Sequence, residues 1–283
     1  MQLPLRGITI ESVDNLDAVV AAVSAHSRVP TVRIVFQAGE PPATYAAAVN
    51  RLHPHAYLMG ALLDSDALAG VTVEQARQRA QSYLTAFGDR IDIWEVGNEL
   101  NGSWVGSGPA DINAKVQAMY DVIVGRPGAA TAITLNYWSG PDCYERSWES
   151  TLSYAPTIPA SVRHGVSYLL LSMYETACDP PQQPTAAQLG TMLNTLGVLF
   201  PNARLGIGEL GAQGRADGLP QDPSLAEKQR IAMRYYGMHG ALRQLVGDRY
   251  AGGYFWWYYH QDAVPMGRVG SLWSTLDALM GSM

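Results

Sequence analysis

Two glutamates stand where apolar runs of this chain come to an end. One closes Ile93-Trp94-Glu95-Val96-Gly97-Asn98-Glu99-Leu100, and the other sits in Leu205-Gly206-Ile207-Gly208-Glu209-Leu210-Gly211. With apolar or glycine neighbours, Glu99 and Glu209 are poorly placed to be acids that merely solvate a surface. Two carboxylates facing each other suit glycoside hydrolysis. One, protonated, assists the departing oxygen; the other, ionised, attacks the anomeric carbon. Burial and mutual repulsion push their pKa values apart, which lets one pair do both jobs near neutral pH. A covalent, retaining displacement needs the carboxyls about 5–5.5 Å apart, and an inverting one roughly 6.5–9.5 Å. Spacing along the chain does not measure that distance. The bland alternative is a pair of structural acids neutralised by buried bases.

The elements that must position these residues follow from the pattern of apolar runs and Gly/Pro punctuation. Eight short β-rich runs recur: Gly7–Ile10, Thr31–Phe36, Ala56–Leu62, Ile91–Val96, Ala132–Asn136, Gly165–Leu171, Arg204–Ile207 and Gly253–Trp257. Between them lie helical stretches, clearest at Val73–Phe87, Ala110–Val124, Ala186–Phe200 and Ser224–Leu245, with a last helix near Ser271–Met280. Thr72 with Gln75, and Ser224 with Glu227, have capping-box spacing, and Asp14 or Asn15 caps a first helix over Leu16–Ser24. Runs apolar on consecutive residues and flanked by helices fit strands covered on both faces of a parallel sheet. Eight strand–helix units in about 250 residues predict an α/β fold, the (β/α)8 TIM barrel, whose active site lies at the carboxyl ends of its strands. An open doubly wound sheet is the alternative, but no Gly-rich phosphate loop follows the first run. No Pro- or Ser-rich linker divides residues 1–283, so a single domain is expected.

The segment WEVGNE, with Asn98-Glu99 ending the fourth run and Glu209 ending the seventh, resembles glycoside hydrolase clan A. These are retaining (β/α)8 enzymes, and the compact barrel is similar to members of families 5 and 39. The resemblance covers essentially the whole chain in strand order. It implies Glu99 as general acid/base, Glu209 as nucleophile and Asn98 as the partner of the sugar 2-hydroxyl. It further implies that Arg33, inside the second run, holds Glu209 ionised; an exposed edge or a salt bridge to Glu95 is the alternative. Tyr174, after the sixth run, would contact the nucleophile or else merely pack. A tryptophan ending the eighth run would floor the reactive subsite by stacking on a sugar face. Trp256 and Trp257 point opposite ways, and Trp257 is favoured. Tyr137, Trp138 and Trp104 are candidate outer platforms, with loop packing as the alternative. The implied bond is a β-linked glycoside. Aromatic residues on several loops favour an open cleft and endo action on a polysaccharide, with an exo-acting pocket as the alternative.

Other features are read plainly. His53-Pro54-His55 has metal-ligand spacing but precedes its strand, at the wrong end of a barrel. Asn101-Gly102-Ser103 matches a glycosylation acceptor yet lies beside Glu99. Glu175 is a third acid that contacts substrate or only a loop backbone. Cys143 and Cys178 fall in the loops after the fifth and sixth runs, which adjacent strands bring together, so they form either a disulfide or two free thiols. A bridge would imply an oxidising compartment, periplasm or exterior. Of the 283 residues 47% are hydrophobic and 16% charged, which excludes a disordered chain. A net charge of −6, with Lys115 and Lys228 the only lysines, argues against nucleic acid or an anionic membrane as partner. No secretory leader is visible at the start and no apolar run reaches the roughly 20 residues of a membrane span. No metal or organic cofactor is expected, the partner is a carbohydrate substrate, and a monomer is favoured. The rival readings are a catalytically silent carbohydrate-binding barrel, against which two intact acids argue, and a metal-dependent barrel hydrolase.

Overall fold

A computed structural model of the protein describes residues 2–213 and 223–283. Eight strands, β1 (Leu5–Ile10), β2 (Thr31–Val35), β3 (Tyr57–Ala61), β4 (Ile93–Gly97), β5 (Ala130–Asn136), β6 (Tyr168–Met173), β7 (Arg204–Leu210) and β8 (Tyr250–Trp256), pair in chain order and close into a barrel. Every neighbouring pair is parallel, including β1 with β8. Helices run between the strands, so the described residues form one (β/α)8 barrel.

Strand alternation splits the core in two. Val32, Ile34, Trp94, Val96, Leu205 and Ile207 face outward into a large cluster shared with the helices. Leu5, Met59, Ile93, Ala132, Tyr168, Leu170, Ala251 and Phe255 form a separate inner cluster that fills the barrel. Arg33 is the register partner of Met59, so it shares that inner face. The barrel is thus a packed plug whose buried charged residues Arg33, Glu95 and Glu209 lie toward its carboxyl end.

The helix boundaries follow local chemistry. Thr72 and Gln75 make a complete capping box at the start of the helix Val73–Phe87, and Thr185 with Gln188 makes another before Ala186–Leu199. Ser224 accepts from the Glu227 backbone, whereas the Glu227 carboxylate turns to Arg230. Asn15 precedes Leu16–Ser24 in a left-handed conformation without a side-chain cap. The expected single helix Ser224–Leu245 is two helices, Leu225–Tyr236 and His239–Val246, parted at Gly237. A Cβ at Gly237 would lie 2.6 Å from the Met233 carbonyl oxygen, so glycine suits the break. Gly165 ends a short helix, and the sixth strand begins only at Tyr168. No helix among the described residues is long and apolar enough to cross a membrane.

Candidate active site

The carboxyl ends of β2, β4, β6 and β7 converge on one cluster. Its centre is Arg33, fully buried. The guanidinium donates through Nε to Glu95 Oε2 at 2.7 Å and through Nη1 to Glu209 Oε2 at 2.7 Å. Glu209 Oε1 also accepts from the Tyr174 hydroxyl at 2.8 Å. Glu95 Oε1 takes the Thr134 hydroxyl at 2.6 Å. Arg33 therefore serves both acids that the sequence offered as alternatives.

Two local irregularities aim the carboxylates. Ile207 and Leu205 face outward, so regular alternation would send Glu209 outward as well. The β6–β7 register skips Gly208, pairing Leu171 with Ile207 and Ser172 with Glu209. This bulge restores Glu209 to the barrel mouth. A side chain at Gly208 has no room, because its Cβ would lie 2.6 Å from Leu170 Cβ. On β4 a second register shift falls between Glu95 and Gly97, and Glu99 adopts a left-handed φ of 50°. Such a backbone costs a non-glycine residue about 1–2 kcal/mol. It turns consecutive residues Asn98 and Glu99 toward the same cleft.

Glu99 is held differently from Glu209. Its Oε1 accepts from the Ser172 hydroxyl at 2.7 Å and its Oε2 from the Ser65 hydroxyl at 2.9 Å. Asn98 Nδ2 donates to Asp64 Oδ1 at 3.0 Å and reaches Glu209 Oε2 at 3.4 Å. Sequence reasoning missed Asp64, Ser65 and Ser172. The available signal was position: Asp64-Ser65 follows the third apolar run, and Ser172 interrupts the leucines of the sixth.

Burial pushes the Glu209 carboxyl up to about 8, with the charge of Glu99 adding to the rise and Arg33 opposing it. Burial also raises Glu99, against the Ser172 hydroxyl, and raises Glu95, against Arg33. Arg33 is held protonated, because Glu95, Glu209 and Asp64 overcome the effect of its own burial. Two raised, interacting carboxyls titrate as a pair, and between its two steps they share one proton. The contacts decide where it sits. Arg33 and Tyr174 favour a carboxylate at Glu209, while Glu99 has only serine hydroxyls. With Glu99 protonated, its repulsion on Glu209 disappears and the ion pair to Arg33 is relieved of the largest opposing charge.

The aromatic residues divide. Trp257 is half-buried with its ring 5.1 Å from the Arg33 guanidinium carbon, beside the acids. Trp256 points the other way, into the outer core, where its indole donates to Asp262 at 2.8 Å. Strand alternation removes it from the cleft, and the same holds for Tyr137, whose ring is buried in the outer cluster. Trp104 is exposed at the rim, packed edge-on against Trp138 at 5.7 Å, and its indole donates to Ser65 Oγ at 3.1 Å. Trp138 is itself buried, so of the two only Trp104 presents a face at the rim, linked to Glu99 through Ser65.

Glu175 is buried and its carboxylate is consumed by Arg230 at 2.6 Å, behind the Tyr174 loop. Asn101 is fully buried, donating to the Glu149 carbonyl and accepting from the Asn136 amide, so no glycan reaches it. Cys143 and Cys178 form a disulfide that ties the β5 and β6 loops. His53 and His55 lie before β3, away from the cleft. Among the described residues no group of three or more His, Cys, Asp or Glu is arranged to hold a metal ion.

Solved structures share this architecture. A thermostable mutant of a xylanase from Cellvibrio japonicus matches 100% of this chain and 99% of its own, with a TM-score of 0.61 at 12% identity. A glucosidase from Croceicoccus marinus matches 99% of this chain and 67% of its own, with a TM-score of 0.60 at 13% identity. In fold, the chain is a (β/α)8 barrel similar to those of these two glycosidases. An endo-β-mannanase/endo-β-glucanase from Prevotella bryantii extends the likeness, over 89% of this chain and 41% of its own, with a TM-score of 0.58 at 16% identity. No protein-family model matches the sequence, and no curated protein matches it.

Proposed function

We propose that the protein is a retaining glycosidase acting on β-linked sugars, with Glu209 as nucleophile and Glu99 as acid/base. The observation that carries this reading is the unequal support of two acids at the strand ends, Glu209 buried and Glu99 half-buried. Glu209 is braced by a cation and a phenol. Glu99 is braced by two alcohols. In the first step a Glu209 oxygen bonds to the anomeric carbon while the glycosidic C–O bond breaks and the Glu99 proton passes to the leaving oxygen. In the second, Glu99 takes a proton from water, whose oxygen bonds to the anomeric carbon as Glu209 departs. Trp257 floors the reacting sugar, and the exposed Trp104, backed by Trp138, extends the site for endo action on a polymer.

The test is reducing-end release from a panel of β-linked polysaccharides by wild type and Glu209→Gln, with NMR of the first-formed anomer. Release by wild type with retained configuration, reduced at least a thousandfold in the variant, supports the reading. Equal activity in both removes Glu209 from the mechanism, and an inverted product removes the covalent intermediate.

A further inference from the structure

Trp104 turns its indole N–H inward. The residue is 43% exposed at the rim, where water is at hand for that hydrogen. It donates instead, at 3.1 Å, to the hydroxyl of Ser65, a residue only 7% exposed. That hydroxyl lies 2.9 Å from Glu99 Oε2. The ring is held in this pose from two sides. It meets Trp138 edge-on at 5.7 Å, and it packs on Gly102, where a Cβ would come within 2.7 Å of the indole.

The direction of each bond follows from chemistry. An indole N–H donates and accepts nothing, so Ser65 Oγ is the acceptor of the first bond. The hydroxyl then has one hydrogen to place, and the Glu99 carboxylate is the acceptor within reach. A one-way chain therefore runs from the rim to the acid, from Trp104 to Ser65 to Glu99. A Ser65 oxygen relieved of the indole is free to accept the proton of a neutral Glu99. That bond favours the neutral acid and draws its proton away from the cleft.

We propose that Trp104 is a positioning residue for Glu99: its indole keeps Ser65 a hydrogen donor, so the Glu99 proton is left for the leaving oxygen instead of being spent on the serine. This role needs no sugar on the ring and no contact between Trp104 and the reacting atoms. The charged groups acting on Glu99 are Asp64, which opposes its ionisation, Arg33, which favours it, and Glu209, which it repels. Tyr174, which also feels Glu99, is held neutral by burial. Among the described residues none of these four bonds to the Ser65 hydroxyl or to Trp104, so the chain acts on Glu99 separately from them.

The inference rests on the reading of Glu99 as acid/base, and a titration without substrate separates the two. The measurement is 13C NMR of the protein labelled at its glutamate carboxyls, with the Glu99 signal assigned by its loss in Glu99→Gln. Trp104→Phe keeps an aromatic ring and deletes the N–H. It should raise the Glu99 midpoint by about 0.3–1 unit, the scale of one weakened hydrogen bond to a carboxylate. Ser65→Ala should raise it at least as far, and adding Trp104→Phe to Ser65→Ala should raise it no further. An unchanged or lowered midpoint in either single variant, or the same rise on adding Trp104→Phe to Ser65→Ala, would overturn the inference. A ring that only stacks on sugar gives the first of these results, with a change confined to KM. Trp104→Phe decides the matter alone if Ser65→Ala does not fold. On a β-glycan the alkaline limb of kcat/KM should rise with the Glu99 midpoint. A midpoint that rises in a protein cleaving no glycan sustains the chain and removes the hydrolytic reading. A limb that stays in place while the midpoint moves sustains the chain and removes Glu99 as the acid.

Discussion

Replacing Arg33 by methionine keeps a long side chain and deletes the charge around which the cluster is built. The native guanidinium is fully buried, 2.7 Å from Glu95 and 2.7 Å from Glu209. Burial already raises both carboxyls, and Arg33 pulls each of them back. Without it, two carboxylates would share a dry interior with no counter-ion, and they take up protons instead. Removing one partner of a buried ion pair costs about 3–5 kcal/mol. At about 2–4 °C of Tm per kcal/mol for a chain of this size, the midpoint falls on the order of 10 °C.

The pH dependence has a definite sign. An unfolded glutamate titrates near about 4.3, and both acids in the folded variant titrate higher than in wild type. A raised folded-state pKa gives stability that is complete below the unfolded value and is lost as pH rises through the folded value. The deficit relative to wild type is therefore smaller at about pH 5 than at about pH 8. Thermal unfolding followed by circular dichroism at those two pH values measures it. A midpoint within a couple of degrees of wild type at both, or a larger deficit at acid pH, would refute the reasoning.

Four further outcomes are expected. The pH profile of kcat/KM is a bell whose alkaline limb lies above the ordinary glutamate range, because burial raises both members of the pair and its last proton leaves late. Ser172→Ala removes a donor that favours ionised Glu99 and moves that limb upward by up to about one unit, as a pH–rate series on a β-glycoside will show. Gly208→Ala forces a methyl to within 2.6 Å of Leu170 Cβ, destabilising the fold by about 1–3 kcal/mol. Gly240→Ala, which meets nothing within 4 Å inside a helix, slightly raises the thermal midpoint and serves as its control. Changing both Cys143 and Cys178 to serine opens a link between positions 35 residues apart. The chain-entropy relation values that link at about 4 kcal/mol, and urea unfolding reads it as a lower midpoint.

Much of the site was legible because it obeys local rules. A strand end is marked by the polar residue that follows an apolar run, so Glu99, Asn98 and Tyr174 could be placed in the mouth from order alone. The residues that were not legible act through neighbours far away in sequence. Asp64 and Ser65 grip Asn98 and Glu99 across 34 positions, and Ser172 reaches Glu99 across 73. Nothing in the local composition of those serines distinguishes them from ordinary loop or strand residues. Tyr137 and Trp256 looked like platforms because aromatic residues at strand ends resemble one another in one dimension. Their faces are set by the phase of the strand.

The sequence by itself determined the types of element, their order and which strand ends carry acids, since helix periodicity, capping and apolar runs are short-range properties. Tertiary structure alone decided the phase at Gly208, the sharing of Arg33 between Glu95 and Glu209, and the orientation of the Asn98 amide. Each depends on barrel closure, which fixes the register of eight strands together and places distant charges within bonding range in a dry interior. There, a shift of one residue would turn the Glu209 carboxylate outward.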